Sequence, residues 1–124
     1  MIRAALLLAL LAGPALAETK QASGGTLRVL DRLSDKVEDI HLDTGTAGPV
    51  GRLTLALDDC RYPEGEPAGS IAHLTIIDGE NAVFKGWMLA ASPALNALDH
   101  PRFDVWLLQC DAPAAEAQPE AEGG

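Results

Sequence analysis

The chain holds two cysteines, Cys60 and Cys110, and each closes a segment that reads as a β-strand. A bond between them would oblige any fold to bring two distant strand ends together, and whether it forms depends on the compartment. The first residues bear on that. Met1-Ile2-Arg3 precedes an apolar run over 4–12, then Gly13-Pro14, then Ala15-Leu16-Ala17 ahead of Glu18. One positive charge, a short apolar core, a helix-breaking pair and small residues before the cleavage point are the parts of a secretory signal peptide cut after Ala17. The apolar run is shorter than the roughly 20 residues a bilayer span needs. No cysteine follows the cut, which argues against a lipid anchor. In an oxidising, exported compartment, two cysteines read as one disulfide. Closing a loop of this size stabilises a fold by about 4 kcal/mol in the chain-entropy model, a large share for a domain this small. A redox or metal pair is disfavoured because there is no C-x-x-C spacing.

Charge narrows the partners. Lys and Arg total 9 against 18 Asp and Glu, a net charge of −9, with no basic cluster. Nucleic acid and anionic membrane surfaces both draw on a Lys/Arg face, so neither is expected, and no membrane insertion is expected after signal cleavage. The expected division is a signal peptide at 1–17, a flexible lead-in at 18–25 (ETKQASGG), one β-rich domain at 26–110 and a disordered acidic tail at 111–124.

Within the domain, residues 26–33 (TLRVLDRL) and 37–42 (VEDIHL) read as two strands around the turn residues Ser34-Asp35, although Leu30, Leu33, Val37 and Ile40 also carry helical spacing. Residues 43–49 read as a loop, punctuated by glycine and proline. Residues 51–59 give the cleanest alternation, with Leu53, Leu55 and Leu57 on one face. Residues 61–69 (RYPEGEPAG) read as a loop because Pro63 and Pro67 lack the backbone donor. Residues 70–78 are apolar on both faces, as in a strand covered on both sides, and the turn at Asp78-Gly79 makes residues 82–90 their antiparallel neighbour. Gly86 marks a bulge or a close approach. Ser92-Pro93 starts a helix of about one and a half turns. Residues 103–110 (FDVWLLQC) form the last strand, with Phe103, Val105, Leu107 and Gln109 on one face and Asp104, Trp106, Leu108 and Cys110 on the other. The expected fold is a small, mostly β, antiparallel sandwich or barrel of about six strands, with one short helix near the C-terminal end and one disulfide.

No catalytic constellation is visible. His41, His73 and His100 show no paired ligand spacing, so neither zinc nor copper is expected. Asp58, Asp59, Glu64 and Glu66 form an acidic cluster without calcium-loop spacing, read as a solvated rim. Ser70 and Ser92 lie outside G-x-S-x-G and S-x-x-K, and Ser92 is accounted for as a helix cap. Phe84, Trp87 and Trp106 are the candidate interaction surface, although a small domain also needs its aromatics, Phe103 included, for core. The sequence calls for no cofactor.

Residues 84–110 (FKGWMLAASPALNALDHPRFDVWLLQC) resemble the carboxy-terminal signature of an uncharacterised bacterial family, domain of unknown function 2155, and residues 51–60 (GRLTLALDDC) resemble its upstream half-motif. The resemblance implies a small exported protein of Gram-negative, mainly alphaproteobacterial, type, hence periplasmic, and it brings no catalytic residues. Genes of the family often neighbour one for an accessory subunit of respiratory NADH dehydrogenase, which implies an envelope or respiratory partner. The expected function is therefore a non-catalytic periplasmic interaction or assembly module associated with a membrane or respiratory complex. The alternative is a periplasmic protein that binds a small ligand, sugar, peptide or metal.

Overall fold

The computed structural model describes residues 18–113. The expected signal peptide, and the expected tail beyond residue 113, lie outside the described residues. Eight strands are present among the described residues: β1 Thr19–Gln21, β2 Gly24–Asp31, β3 Lys36–Asp43, β4 Thr46–Val50, β5 Leu53–Pro63, β6 Ile71–Asp78, β7 Asn81–Leu89 and β8 Phe103–Cys110. They make two antiparallel sheets. Sheet A runs β1-β5-β6-β7 with β4 also on β5, and sheet B runs β3-β2-β8. Because β6 occupies one edge of β5, β4 and β1 lie one after the other along its opposite edge. The sheets stack as a sandwich and do not close into a barrel.

The core lies between the two inner faces. Sheet A contributes Leu53, Leu55, Leu57, Leu74 and Ile76, and sheet B contributes Leu27, Val29, Phe103, Val105 and Leu107. Simple alternation would put both cysteines on the outer faces, away from these residues. Two bulges reverse that. In β5 the pairing slips at Asp58, so burial passes from Leu53, Leu55 and Leu57 to Cys60 and Tyr62. In β8 it slips at Leu108, so Cys110 joins Phe103, Val105 and Leu107 on the inner face. An extra residue in one strand inverts the facing of all that follow. The resulting Cys60–Cys110 disulfide, with Cα atoms 5.7 Å apart, is fully buried and joins sheet A to sheet B.

Four local expectations are corrected. The lead-in at 18–25 is ordered: β1 pairs with 61–63 of β5, and the Ala22 N–H donates to the Cys60 carbonyl at 2.8 Å. Its glycines serve close approach, since a Cβ on Gly25 would stand 2.7 Å from the Cys60 Sγ. Residues 46–50, expected as loop, form β4, where Pro49 sits on an edge strand that makes no use of the missing N–H. Residues 61–63 continue β5, and β6 is buried on one face only.

The expected helix after Ser92 is a single 3₁₀ turn, Pro93–Leu95, without a side-chain cap. So short a segment does not repay helix nucleation, and Leu95 is exposed. The Asn96 side chain instead donates to the Trp87 carbonyl at 2.8 Å, over Gly86, where a Cβ would meet it at 3.1 Å. Gly86 therefore marks a close approach, and the bulge of β7 falls at Val83.

Candidate functional site

The side chains with chemistry to offer are held in separate pairs. His41 Nε2 donates to Asp111 at 2.7 Å, His73 Nδ1 to Asp58 at 2.8 Å and His100 Nε2 to Asp78 at 2.8 Å. Each histidine thus has its own carboxylate. Among the described residues no group of three His, Cys, Asp or Glu could hold a metal ion. Asp111, expected to open a disordered tail, is fixed by His41 and by its own N–H, which donates to the Gly24 carbonyl at 2.8 Å.

The acidic cluster is dispersed in the same way. Asp58 also accepts from the Thr75 hydroxyl at 2.7 Å, and Asp59 accepts from Arg61 at 3.0 Å. The Arg61 hydrogen bond holds the Asp59 carboxyl below its ordinary value. Glu64 lies 4.0 Å from Lys20. Ser70 is buried, its hydroxyl donating to the Pro67 carbonyl at 2.6 Å and accepting from the Cys110 N–H at 2.9 Å. Neither role leaves it a nucleophile beside a base.

One end of the sandwich carries a network that sequence reading missed, because its members are far apart in the chain. His100 Nδ1 accepts the backbone N–H of Arg102 at 3.0 Å and of Phe103 at 3.2 Å, which leaves the hydrogen on Nε2, facing Asp78. Asp78 accepts from Arg52 at 2.6 Å as well, and His100 first, then Arg52, hold its carboxyl below the ordinary value. Arg102 grips both oxygens of Asp31 at 2.9 Å and holds that carboxyl well below the usual range. Arg32 forks onto Asp104 and donates to the His100 carbonyl at 3.0 Å. These contacts fasten the β2–β3 hairpin and the loop before β8 to the β6–β7 turn. Among the described residues every arginine is spent on an aspartate, the fourth and fifth pairs being Arg28–Asp39 and Arg61–Asp59.

The aromatic set does not form one groove. Trp87 stands on the outer face of sheet A, 37% exposed, with the His73 ring edge-on at 5.3 Å and the Arg61 guanidinium 6.0 Å from its centroid. Trp106 lies on the outer face of sheet B opposite Arg28, while Phe84 and Phe103 face the core between the sheets. Two recesses flank this arrangement. One, of about 230 Å³, lies between the sheets and is lined by Val29, Val50 and Phe103, with Lys36 and Glu38 among its polar residues. The other, of about 290 Å³, lies beside β8 and is lined by Trp106, Leu107, Leu108, Arg28, Ala90 and Pro93.

A family model described as an uncharacterized protein conserved in bacteria, domain of unknown function 2155, matches residues 25–110. An uncharacterized protein of Rickettsia prowazekii (strain Madrid E) is 24% identical over 101 residues, covering 76% of this chain. The match covers 64% of that relative, so the chain spans less than two thirds of its length. No solved structure matches the chain.

Proposed function

We propose a function from one premise: the chain belongs to the uncharacterized bacterial family of domain of unknown function 2155. The protein is a non-catalytic interaction or assembly module of the cell envelope, exported to the periplasm and associated with a membrane or respiratory complex. The observation that carries this reading is the contrast between spent polar groups and an available aromatic. Among the described residues the histidines, the arginines and Ser70 are engaged in internal bonds, whereas the Trp87 indole stands on an outer sheet face between Arg61 and His73. An exposed tryptophan beside a guanidinium is the residue pairing that concentrates binding energy at protein interfaces. A buried disulfide supports export, since such bonds persist in oxidising compartments.

Affinity purification of the tagged, exported protein from gently solubilised envelopes tests it, with Trp87→Ala as control. The expected outcome is a stoichiometric partner that is lost with Trp87→Ala, while the variant melts within a few degrees of wild type. A clean monomer from both proteins would refute the interaction reading.

The recess between the sheets favours a second reading, in which a small ligand with an apolar body seats on Val29, Val50 and Phe103. A thermal-shift screen of sugars, short peptides and metal ions tests that reading, and a flat screen removes it.

A further inference from the structure

We propose that the recess between the sheets is a binding site for a free α-amino acid with an aliphatic side chain, held as a zwitterion between Lys36 and Glu38. The proposal rests on the second, small-ligand reading above and names the ligand class. Leu27 and Val29 are buried on the inner face of β2. Side chains alternate along a strand, and residues opposite one another in a ladder share a face, so Asp31 lies on the inner side as well. Val29 stands opposite Glu38, and Asp31 stands opposite Lys36. Lys36 and Glu38 therefore occupy inward positions of β3, in line with Ile40 and Leu42, where the inner face of a sandwich calls for apolar side chains. Ile40 and Leu42 do pack on the core, whereas Lys36 and Glu38, toward the hairpin end, are exposed.

Beneath these two charges the recess is apolar, with Val29, Val50 and Phe103 as its buried floor. Gly51 turns the chain from β4 into β5 at a φ of 61° and puts no side chain over the Phe103 ring, where a Cβ would stand at 3.5 Å. The charges themselves are unspent. Asp31 faces Lys36 across the ladder, but Arg102 holds both of its oxygens at 2.9 Å. Among the described residues neither Lys36 nor Glu38 makes an ion pair or a side-chain hydrogen bond, in contrast to the arginines and histidines. Two residues apart on one strand, their backbones are separated by about 7 Å. The complement of an ammonium and a carboxylate beside an apolar floor is a molecule that is neutral overall and carries all three matching parts: a carboxylate for Lys36, an ammonium for Glu38 and an aliphatic body for Val29, Val50 and Phe103. A volume of about 230 Å³ is below the roughly 300–1,000 Å³ of sites for drug-sized ligands, which suits one amino acid rather than a longer peptide. An acid without an amine would stand against Glu38, and an amine without an acid would leave Lys36 unmatched.

The test titrates the ¹⁵N-labelled exported protein with L-leucine and follows the amide shifts of Val29, Lys36, Glu38, Val50, Gly51 and Phe103. Saturable shifts centred on these residues are expected. Glycine lacks the aliphatic body, N-acetyl-L-leucine the ammonium and L-leucinamide the carboxylate, and each is expected to bind at least about tenfold more weakly than leucine. Lys36→Met and Glu38→Gln are each expected to weaken leucine binding by about tenfold. Both variants should melt within a few degrees of wild type, because neither side chain has an internal partner to lose. Leucine that causes no saturable shift would overturn the proposal. So would N-acetyl-L-leucine and L-leucinamide that match leucine, or variants that bind it as wild type does. Should leucine be inert and the variants self-associate, the two charges serve to guard the open edge of β3 instead. The proposal and the reading beneath it fail separately. Another apolar ligand that shifts Val29, Val50 and Phe103 while leucine does not removes only the amino acid, whereas a flat screen that includes leucine removes the small-ligand reading as well.

Discussion

The Ser70 hydroxyl joins two segments that share no strand pairing, accepting from the Cys110 N–H and donating to the Pro67 carbonyl. At 1% exposure it has no water to fall back on. Ser70→Ala leaves the Cys110 N–H unpaired in the interior, which costs about 1–3 kcal/mol. The expected outcome is a lower denaturant midpoint with an unchanged m-value; an unchanged midpoint would mean that water replaces the hydroxyl. His100 makes the same point about reading residues singly. Its Nδ1 accepts the N–H groups of Arg102 and Phe103, two and three residues along the chain, which is a local contact. Its contact with Asp78, twenty-two residues upstream, has no local signature in the chain.

Two single-residue bulges decide which way the ends of β5 and β8 face. Deleting Leu108 restores strict alternation in β8 and turns Cys110 to the outer face, away from Cys60. The expected outcome is two alkylatable thiols in the denatured, unreduced protein, and a loss of stability matching the about 4 kcal/mol expected when both Cys60 and Cys110 are replaced by Ala. A deletion variant that remains disulfide-bonded would show that β8 re-registers on β2. The β2–β3 hairpin illustrates the other element-scale limit. Its helical spacing gave way to a turn in which Asp31 accepts the Leu33 N–H at 3.0 Å and Asp35 takes a positive φ of 59°.

At the scale of the whole molecule, stability in acid follows from the carboxylates that arginines and His100 hold below their ordinary values: Asp31, Asp39, Asp59 and Asp78. A carboxyl whose value is lower in the folded than in the unfolded chain stabilises the fold above the unfolded value, and that contribution fades as pH falls through the folded one. The melting temperature is therefore expected to be insensitive to these groups at neutral pH and to fall below about pH 4, where unfolded aspartates take up protons. Asp31→Asn should reduce the steepness of that fall, and a pH profile identical to wild type would show that the Arg102–Asp31 pair contributes nothing. Much of the architecture was legible in the chain. Period-2 leucines in β5, the turn at Asp78-Gly79 and two cysteines at strand ends establish antiparallel strands, one hairpin and a candidate disulfide, because these depend on neighbours within a few residues. The tertiary structure alone decided that Gly24, Gly25 and Pro49 serve strands, that bulges carry both cysteines inward and that Trp87 and Trp106 lie on opposite faces. It also decided which polar groups meet at the end of the sandwich. Such outcomes depend on which strands become neighbours, and the chain's local pattern is the same for several pairings until the core between the sheets selects one.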